Sequence, residues 1–424
     1  MNGFDVLKER GFIYQLTDEE MLPKALNEEG VVFYVGFDPT ADSLHIGHLL
    51  PVMAMRNLQQ CGHRPVALVG GGTGMIGDPS GKTEARKLLT KDDIQHNVDC
   101  LKGQLARFLD FSDESGARLV NNADWLCSIN YIDFLRDVGR YFSVNKMLTA
   151  ESVKQRMETG ISFIEFSYSL MQAYDFYHLY KEINCSFQLG GQDQWGNIVA
   201  GTDLCRRKLG KQAYGATFPL LMNSQGQKFG KSVAGAVWLD EHKTSVYDYY
   251  QFWRNVDDAD VKKLFGYFTM LPMQEVEDII SAGNVNRAKE ILAYEATTLA
   301  HGHQKARKAY LAACSNFGFA DPEGKIKTTS RITTITAADA LADLPTYEVD
   351  AAELAQGIWV IKLFADCGLC KSNGDARRSL KGNALSINDI KVKDDQYQIS
   401  EKDLQNGAIM LKFGKKNVRR IVVK

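Results

Sequence analysis

The chain has 424 residues, of which 45% are hydrophobic, and a formal net charge of −2. This length exceeds what one hydrophobic core usually organises, so two or three domains are expected. No window of eighteen apolar residues is free of charge, and Asp5 and Glu9 stand where a targeting peptide avoids acidic residues. The composition therefore excludes a membrane-spanning protein and predicts a cytoplasmic location.

The first part of the chain carries the pattern of a parallel sheet. Residues 31–35 are predicted to form a buried strand, followed by a polar turn through Asp38 and an apolar helix from about Gly47 to Gln60. Residues 65–69 form a second predicted strand. A strand, a helix and a strand in this order constitute one βαβ unit.

Helical patterns dominate the middle of the chain. Residues 88–180 are predicted to be mainly helical, residues 185–189 form a short strand, and helical patterns resume after Trp238. The predicted fold class is α/β, with a Rossmann-like parallel-sheet domain that carries a helical insertion (1–225), an α-helical domain (226–320), a linker (321–356) and a small α+β domain (357–424).

The C-terminal segment is basic. From Lys371 to Lys424, thirteen Lys and Arg residues stand against six Asp and Glu residues, a local charge of +7 that leaves −9 for the rest of the chain. Such segregation indicates contact with a polyanion, with a solvated charged face as the alternative. Cys367 and Cys370 are the one close cysteine pair, and they lack a second pair or a nearby histidine. We therefore expect reduced thiols and no structural metal.

The segment His45-Ile-Gly-His48 opens the helix that follows the first strand and turn. Backbone N–H groups, two imidazoles and the positive end of a helix dipole then lie at the carboxyl end of a parallel strand, which is an anion-binding arrangement. Gly47 leaves room for a nucleotide against the helix start. Considered alone, two surface histidines explain the segment equally well.

A second motif is Lys228-Phe-Gly-Lys-Ser232, which places two ammonium groups three residues apart and a hydroxyl around a glycine turn. Such a loop can fold over phosphates, although a solvated basic turn is the simpler interpretation of the motif in isolation. The two motifs occur in this order after a βαβ unit. Their combination predicts a site that binds ATP.

Residues 72–77 fit the G-x-G-x-x-G fingerprint of dinucleotide-binding proteins, and Asp92 lies twenty residues beyond Gly72. This match leaves a dinucleotide-dependent oxidoreductase as an alternative function. Against it, Asp78 and Pro79 interrupt the helix that the fingerprint should open.

Residues 77–83 and 226–232 resemble a P-loop, but each has three residues between its glycines where the P-loop has four. Neither segment is therefore expected to cradle phosphates in that geometry. Lys82 and Arg86 are four residues apart, a spacing at which their side chains can reach one anion together or remain ordinary exposed charges.

The paired motifs resemble the two signatures of class I aminoacyl-tRNA synthetases, and further blocks resemble the bacterial tyrosyl-tRNA synthetases over nearly the whole chain. The resemblance implies an enzyme that joins L-tyrosine to ATP as tyrosyl-adenylate, releases pyrophosphate, and transfers tyrosine to the terminal ribose of tRNA(Tyr). A non-catalytic RNA-binding relative is a further alternative. The blocks are residues 34–44, 77–80, 165–168, 172–175 and 191–197.

The resemblance also implies substrate contacts. Tyr34 and Asp175 would bind the phenol, and phenylalanine would leave both unpaired; tyrosyl-tRNA synthetase is itself the standard example of such discrimination. The remaining tyrosine-binding residues implied are Thr73, Asp78, Tyr168, Gln172 and Gln188. The ATP-binding residues implied are Gly36, Asp38, His45, Gly47, His48, Gly191, Asp193, Gln194, Lys231 and Ser232.

The implied reaction needs no enzyme nucleophile, because the tyrosine carboxylate attacks the α-phosphorus of ATP. Catalysis then depends on positioning and on stabilisation of negative charge. Mg²⁺ is expected to accompany ATP, since hard phosphate oxygens favour it and it usually keeps several waters. The residues implied in catalysis are Thr40, His45, His48, Lys82, Arg86, Lys228 and Lys231.

The basic C-terminal segment resembles a small RNA-binding module, and a homodimer is implied with residues 134–138, Tyr141 and Phe142 in the pairing region. Departures from the family pattern at Val35 and Gln192 leave the affinity for ATP open, and a third departure, at Ala123, leaves the packing of its loop open. The tRNA contacts implied are Arg377, Arg378, Lys415, Lys416, Arg419 and Arg420.

Overall fold

The computed structural model describes residues 2–80, 89–112, 116–157, 160–232, 235–336, 346–388, 390–405, 407–414 and 417–424. The chain divides into two compact units, Met1–Ala306 and Arg307–Lys424. Within the described ranges, no helix is long and apolar enough to cross a lipid bilayer.

The described helices are α1 Gly3–Glu9, α2 Met21–Leu26, α3 Ile46–Gln60, α4 Lys91–Leu105, α5 Ala123–Leu126, α6 Tyr131–Asp137, α7 Val144–Leu148, α8 Glu151–Met157, α9 Phe163–Ile183, α10 Trp195–Leu209, α11 Val246–Arg254, α12 Val261–Phe268, α13 Met273–Ser281, α14 Val285–His301, α15 His303–Phe317, α16 Ala351–Gln356, α17 Val360–Asp366 and α18 Asn373–Lys381. The described strands are β1 Gln15–Leu16, β2 Val32–Phe37, β3 Arg64–Val69, β4 Arg118–Asn121, β5 Phe187–Gly191, β6 Tyr214–Phe218, β7 Lys231–Ser232, β8 Gly235–Ala236, β9 Thr346–Val349, β10 Ile358–Trp359, β11 Leu385–Ile387, β12 Ile390–Lys391, β13 Gln398–Ile399, β14 Ala408–Phe413 and β15 Asn417–Val423.

The first unit is built on a six-stranded sheet of order β1-β6-β5-β2-β3-β4. Strands β2 to β6 are parallel, and β1 pairs antiparallel with β6. From β2 the chain proceeds to β3 and β4 on one side, and then to β5 and β6 on the other. The strand order thus reverses between β2 and β5, which is where open α/β sheets bind their ligands.

Helix α3 is apolar on most of its surface because it is covered on more than one side. It contacts β3 and β5 of the sheet and also contacts α1 and α12. Its buried side chains include Leu49, Val52 and Met53. This burial fixes the position of the helix start, which is the part of α3 that faces the carboxyl ends of the strands.

The predicted βαβ unit is confirmed, with α3 beginning one residue earlier than expected. Three strands of the sheet were not predicted: β1, β4, which lies inside the segment expected to be helical, and β6. All three are short, at two, four and five residues, and a short run does not establish a period of two. Residues Thr73–Met75 form a single 3₁₀ turn and open no α-helix, so the dinucleotide fingerprint is not realised.

The helices from α11 to α14 bury several aromatic side chains within the first unit. Tyr249, Tyr250 and Trp253 of α11 are fully buried, as the sequence predicted for this aromatic run. Arg10 joins this region to the start of the chain, because its guanidinium donates to the carbonyl groups of Gly266, Thr269 and Leu271 over 2.8 to 3.2 Å.

The second unit contains a five-stranded sheet of order β12-β11-β14-β15-β9. The three strands predicted near the C-terminus are confirmed as β11, β14 and β15. Strand β9 pairs parallel with β15, with Val349 opposite Val423. This pairing corrects the expectation of a linker throughout residues 321–356, because β9 and α16 lie in that range and β9 belongs to the sheet. Its half-exposed position explains its weak apolar pattern.

Candidate active site

Two histidine side chains hold the first turn of α3. The N–H of Gly47 donates to Nδ1 of His45 over 3.0 Å, and the N–H of His45 donates to Nδ1 of His48 over 3.3 Å. The two rings stack with their centroids 3.9 Å apart. Because Nδ1 accepts in both rings, each neutral imidazole carries its proton on Nε2. The histidines therefore cap the helix and also provide N–H donors for an anion.

Gly47 is required by this cap. A Cβ atom added there would lie 2.8 Å from Cε1 of His45, a distance at which the imidazole has to move. The space that a nucleotide needs is the reason for this glycine that the sequence suggested. The structure adds a second reason, since a side chain at Gly47 would displace the ring that caps the helix.

The two signature motifs meet in space. Gly230 adopts a φ of +90°, and a Cβ atom added there would lie 3.3 Å from Cβ of Ile46 and 3.4 Å from the backbone nitrogen of Gly47. The N–H of Ile46 also donates to the carbonyl group of Val237 over 3.0 Å. Gly230 of the second motif and Val237 thus lie beside the start of α3.

A cavity of about 1040 Å³ lies at the carboxyl ends of β2 and β5. Sites for small molecules usually have a volume of several hundred cubic ångströms, so this one has room for more than one substrate. Its lining brings together most of the residues that the sequence analysis proposed: Tyr34, Gly36, Asp38, His45, Gly47, His48, Thr73, Asp78, Tyr168, Gln172, Asp175, Gln188, Gly191, Asp193, Gln194 and Lys228.

Tyr34 and Gln188 lie side by side, because they are register partners on the parallel strands β2 and β5. Both are buried, with 1% and 3% of their surface exposed. Within the described residues, the Tyr34 hydroxyl and Oε1 of Gln188 have no hydrogen-bond partner. Burial raises the pKa of Tyr34 well above its ordinary value, so its hydroxyl keeps its proton. This wall therefore offers one buried donor and one buried acceptor to a polar ligand.

Helix α9 presents a polar face to the same cavity. Its start is fixed by Ser162, whose hydroxyl accepts from the N–H of Glu165 over 3.3 Å. Tyr168, Gln172 and Asp175 follow at intervals of four and three residues, a spacing that places side chains on one face of a helix. All three line the cavity.

The Asp175 carboxylate is held by two donors. Its Oδ1 accepts from Nε1 of Trp125 over 2.7 Å, and its Oδ2 accepts from Nδ2 of Asn122 over 2.9 Å. Burial raises the pKa of this carboxyl to about 7, and the two hydrogen bonds oppose that rise. Near neutral pH the group is therefore close to the midpoint between its ionised and protonated forms.

Asn122 and Trp125 were not predicted as site residues from the sequence. Asn122 is fully buried, and its Oδ1 accepts from the N–H of Gly72 over 2.8 Å. Both residues follow β4, a strand that was itself missed. The sequence does show a side-chain amide and an indole three residues apart at these two positions. In this segment, however, only the departure from the family pattern at Ala123 was noted.

A chain of hydrogen bonds links two carboxylates across the cavity wall. Nδ2 of Asn122 also donates to Oγ1 of Thr73 over 2.9 Å, and the Thr73 hydroxyl donates to Oδ1 of Asp38 over 3.5 Å. The Tyr168 hydroxyl donates to the same Asp38 oxygen over 3.3 Å. Asp38 is thus connected to Asp175 through one hydroxyl and one amide.

Asp78 is a further buried carboxylate on the wall. Its Oδ2 accepts from Nε2 of Gln194 over 2.6 Å, and its Oδ1 accepts from the N–H of Ser80 over 2.9 Å. Together with Asp38 it gives this part of the cavity a negative character, which suits a cationic group.

The remaining proposed residues differ in what the structure describes. Thr40 is exposed in the turn after β2, and its N–H donates to the Asp38 carbonyl group over 2.8 Å. Lys228 is exposed at the cavity. Lys231 and Ser232 form β7, but their side chains lie outside the described part, as do Lys82 and Arg86 entirely.

The basic residues of the second unit do not share one surface. Arg419 and Arg420 are neighbours on β15, so their side chains emerge on opposite faces of the sheet. Arg419 shares its face with the buried Ile421, whereas Arg420 lies on the other face. On α18, the Arg377 guanidinium lies 5.2 Å from the ring centroid of Trp359, and Arg378 is exposed. Lys415 and Lys416 are outside the described residues.

Comparisons with known proteins identify the family. The family described as class I tRNA synthetases (W and Y) matches residues 26–318, and the SYY-like C-terminal domain of tyrosine–tRNA ligases matches residues 336–421. A tyrosine–tRNA ligase of Clostridium botulinum (strain Loch Maree) is 51% identical over 424 residues, which cover 100% of this chain and 99% of that protein. The chain belongs to the tyrosine–tRNA ligase family of class I aminoacyl-tRNA synthetases.

Comparisons with other members of the family give the same result. The tyrosine–tRNA ligase of Clostridium beijerinckii is 51% identical over 426 residues, covering 100% of both chains. A C-terminally truncated mitochondrial tyrosyl-tRNA synthetase of Aspergillus nidulans superposes with a TM-score of 0.68 at 31% identity, over 74% of this chain and 94% of that chain. The predicted family and the predicted α/β fold class are both confirmed.

Proposed function

We propose that this chain, a tyrosine–tRNA ligase by family, uses the cavity at the ends of β2 and β5 to activate L-tyrosine with ATP. The first unit would hold tyrosine and ATP side by side, and the second unit would contact tRNA(Tyr). The phenol lies against Tyr34 and Asp175, the α-ammonium group lies near Asp78, and ATP lies along the start of α3.

The observation that carries this proposal is the buried hydroxyl of Tyr34. It is a donor with no partner among the described residues, on a wall that also contains the Asp175 carboxylate. A substrate phenol can accept from Tyr34 and donate to Asp175 at the same time. Phenylalanine offers neither bond and would leave both groups desolvated, which is costly. Gln188 supplies a further acceptor nearby.

The ammonium group of tyrosine is assigned to the negative part of the wall. Asp78 supplies the carboxylate there, and Thr73, Tyr168 and Gln172 supply neutral oxygen atoms. An ammonium group has three donors and no acceptor, so a carboxylate surrounded by neutral acceptors matches its charge and its hydrogen-bonding capacity. This placement leaves the substrate carboxylate directed toward α3.

The nucleotide is assigned to the N-terminus of α3 and the second signature motif. The Nε2–H groups of His45 and His48 and the helix dipole favour phosphate oxygens. Lys228 is exposed at the cavity and adds a positive charge. The further residues assigned to ATP and pyrophosphate are Gly36, Asp38, Thr40, Gly47, Lys82, Arg86, Gly191, Asp193, Gln194, Lys231 and Ser232.

In the first step, an oxygen of the tyrosine carboxylate forms a bond to the α-phosphorus, and the bond to the bridging oxygen breaks as pyrophosphate leaves. The enzyme contributes orientation and stabilises the charge that develops on the phosphates. Among the described residues, no group of three or more His, Cys, Asp or Glu side chains is arranged to hold a metal ion. Mg²⁺ is assigned to the ATP phosphates, because hard phosphate oxygens favour it and it would neutralise part of their charge.

In the second step, a hydroxyl of the terminal ribose of tRNA(Tyr) attacks the tyrosyl carbonyl carbon, and AMP leaves. The proposed phosphate contacts on the second unit are Arg377, Arg378, Lys415, Lys416, Arg419 and Arg420. Of the two described arginines on β15, Arg420 is the better candidate, because Arg419 lies on the face that carries the core residue Ile421.

A homodimer is also proposed, as the resemblance implies. Phe134, Tyr141 and Phe142 pack against buried residues, so the contact surface would be formed by their exposed apolar neighbours. Exposed apolar groups close together are typical of interaction sites. These neighbours are Tyr131, Ile132, Leu135, Val144 and Leu148.

The dimer is tested by placing a charge on that surface. Ile132→Glu is expected to halve the molar mass measured by light scattering, because a desolvated carboxylate opposes the contact. Ile390→Glu is the matched control, since Ile390 is similarly exposed but lies in the second unit. A mass that stays unchanged in Ile132→Glu would contradict the proposed surface.

The activity is tested by tyrosine-dependent exchange of pyrophosphate into ATP, followed by charging of tRNA(Tyr). Exchange and charging are both expected with tyrosine, and exchange is expected to be far weaker with phenylalanine. Folded protein that binds tRNA without any exchange would instead support the non-catalytic alternative.

A further inference from the structure

The rim of the cavity carries an aromatic side chain that the assignments above do not use. Tyr14 directly precedes β1 and is 49% exposed. Strand β1 pairs antiparallel with β6, with Gln15 opposite Thr217, and the N–H of Tyr14 donates to the Thr217 carbonyl group over 2.9 Å. Because β1 runs against the parallel strands, the residue at its start lies at their carboxyl ends, where the cavity opens.

A hydrogen bond connects this ring to the cavity wall. Gln192 lines the cavity, and its Nε2 donates to the Tyr14 hydroxyl over 3.0 Å. The side-chain amide of Gln192 is thus held at the rim by Tyr14. Leu220, two residues beyond β6, is also exposed and lines the same cavity. The rim thus combines an aromatic face, an aliphatic group and an amide.

We propose that Tyr14, held by Gln192, is a stacking platform for the base of the 3′-terminal nucleotide of the tRNA. The inference rests on the proposed function. In the second step the terminal ribose must reach the tyrosyl carbonyl group inside the cavity, so the base attached to that ribose comes close to the rim. Exposed aromatic rings bind unpaired bases by stacking on them. Tyr14 is not part of the cavity lining, which encloses ATP, and this position favours the base that arrives from outside.

The test compares Tyr14→Ala with Tyr14→Phe in two assays on the full chain. Tyr14→Ala is expected to lower kcat/KM for tRNA(Tyr) in charging by about fivefold to about 150-fold, the range for loss of one stacked base. Tyr14→Phe retains the ring and is expected to stay within about threefold of the original protein, since it loses one exposed hydrogen bond. Tyrosine-dependent ATP–pyrophosphate exchange is expected to change little in either variant, which also verifies that both are folded.

A modified substrate identifies the partner of the ring. With tRNA(Tyr) whose 3′-terminal nucleotide keeps its ribose but lacks its base, the original protein is expected to lose charging efficiency by the same factor as Tyr14→Ala. Tyr14→Ala is expected to lose no further charging efficiency with this tRNA, because the stacking interaction is already absent in that variant.

Three results would overturn the proposal. Unchanged charging by Tyr14→Ala would mean that no base stacks on the ring, and an equal loss in Tyr14→Phe would assign the effect to the hydroxyl. A raised KM for ATP in the exchange assay would assign the ring to the nucleotide substrate. Absence of exchange in the unsubstituted protein would instead contradict the proposed function, so the two failures are distinguishable.

Discussion

The end of the cavity proposed to bind the phenol and the end proposed to bind the nucleotide, called here the phenol end and the nucleotide end, hold their polar groups in different ways. At the phenol end, Asp175 is buried and both of its oxygens accept hydrogen bonds, from Asn122 and Trp125. At the nucleotide end, two half-buried histidines are fixed by hydrogen bonds within a single helix turn, and Lys228 is exposed.

This difference suggests how selectivity and reactivity are divided. A buried network rejects the wrong amino acid because each polar group left without a hydrogen-bond partner costs free energy. Water cannot reach the buried group to replace the lost bond. A helix start that remains open to solvent can admit ATP and release pyrophosphate, since its donors are arranged by the local backbone. Substitutions at the phenol end should therefore change selectivity, and substitutions at the nucleotide end should change rate.

The largest effect is expected for Asp175→Ala. The substitution removes the proposed acceptor of the phenol and leaves the donors of Asn122 and Trp125 without their carboxylate partner. We expect kcat/KM for tyrosine in ATP–pyrophosphate exchange to fall about a hundredfold or more. The value for phenylalanine should fall much less, so the ratio of the two narrows. An unchanged ratio would mean that Asp175 does not bind the phenol.

Gly47→Ala tests the nucleotide end. The added methyl group would lie 2.8 Å from the His45 ring and displace it, so kcat for exchange should fall about tenfold to a hundredfold through misplacement. The KM for tyrosine should hardly change. Gly103→Ala is the matched control on α4, because nothing lies within 4 Å of a Cβ atom added there. That control should keep full activity and gain up to about 1 kcal/mol of stability.

Trp125→Phe tests the network through its pH dependence. In the proposed site the ionised form of Asp175 accepts the phenol, so kcat/KM for tyrosine should rise with pH through about 7. The hydrogen bond from Trp125 lowers the pKa of that carboxyl, and its removal should move the rising limb to higher pH by about one unit. The substituted side chain at position 125 keeps an aromatic ring in place of the indole, which stacks on His178. A limb that stays in place would show that Trp125 does not act through Asp175.

Tyr34→Phe is expected to have the smallest effect. It should raise the stability of the protein and lower its activity. Removal of a buried hydroxyl that has no hydrogen-bond partner among the described residues should stabilise the substrate-free protein by about 1 kcal/mol, measured by thermal unfolding. Loss of one neutral hydrogen bond to the phenol should lower kcat/KM for tyrosine by about twofold to tenfold. A variant that is both less stable and fully active would contradict the role proposed for Tyr34.

Much of the fold could be predicted because the relevant signals are local. The unit β2-α3-β3 is recognisable from apolar spacing, and the aromatic run in α11 has the pattern of a buried helix. Strands β4, β6 and β9 could not be recognised in the same way. They are short, and what makes each of them a strand is pairing with a neighbour that lies far away in the chain.

The residues of the candidate site likewise differ in whether they could be predicted from local sequence. Its signature motifs were identified because glycine, histidine and lysine at fixed spacings have chemistry that is evident from their type. Asn122 and Trp125 were missed because their importance depends on reaching Asp175, some fifty residues away in the chain. Nothing in the block itself indicates that contact.

The sequence by itself determined the family, the βαβ start of the sheet and the residue types proposed to bind ATP and tyrosine. The tertiary structure alone decided that Gly230 packs against the start of α3, that Asp175 is buried with two donors, and that Tyr14 stands on the cavity rim. The physical reason is how far apart in the chain the interacting residues lie. Caps, turns and helix faces arise from residues within a few positions of one another, whereas burial and strand pairing depend on residues that only the folded chain brings together.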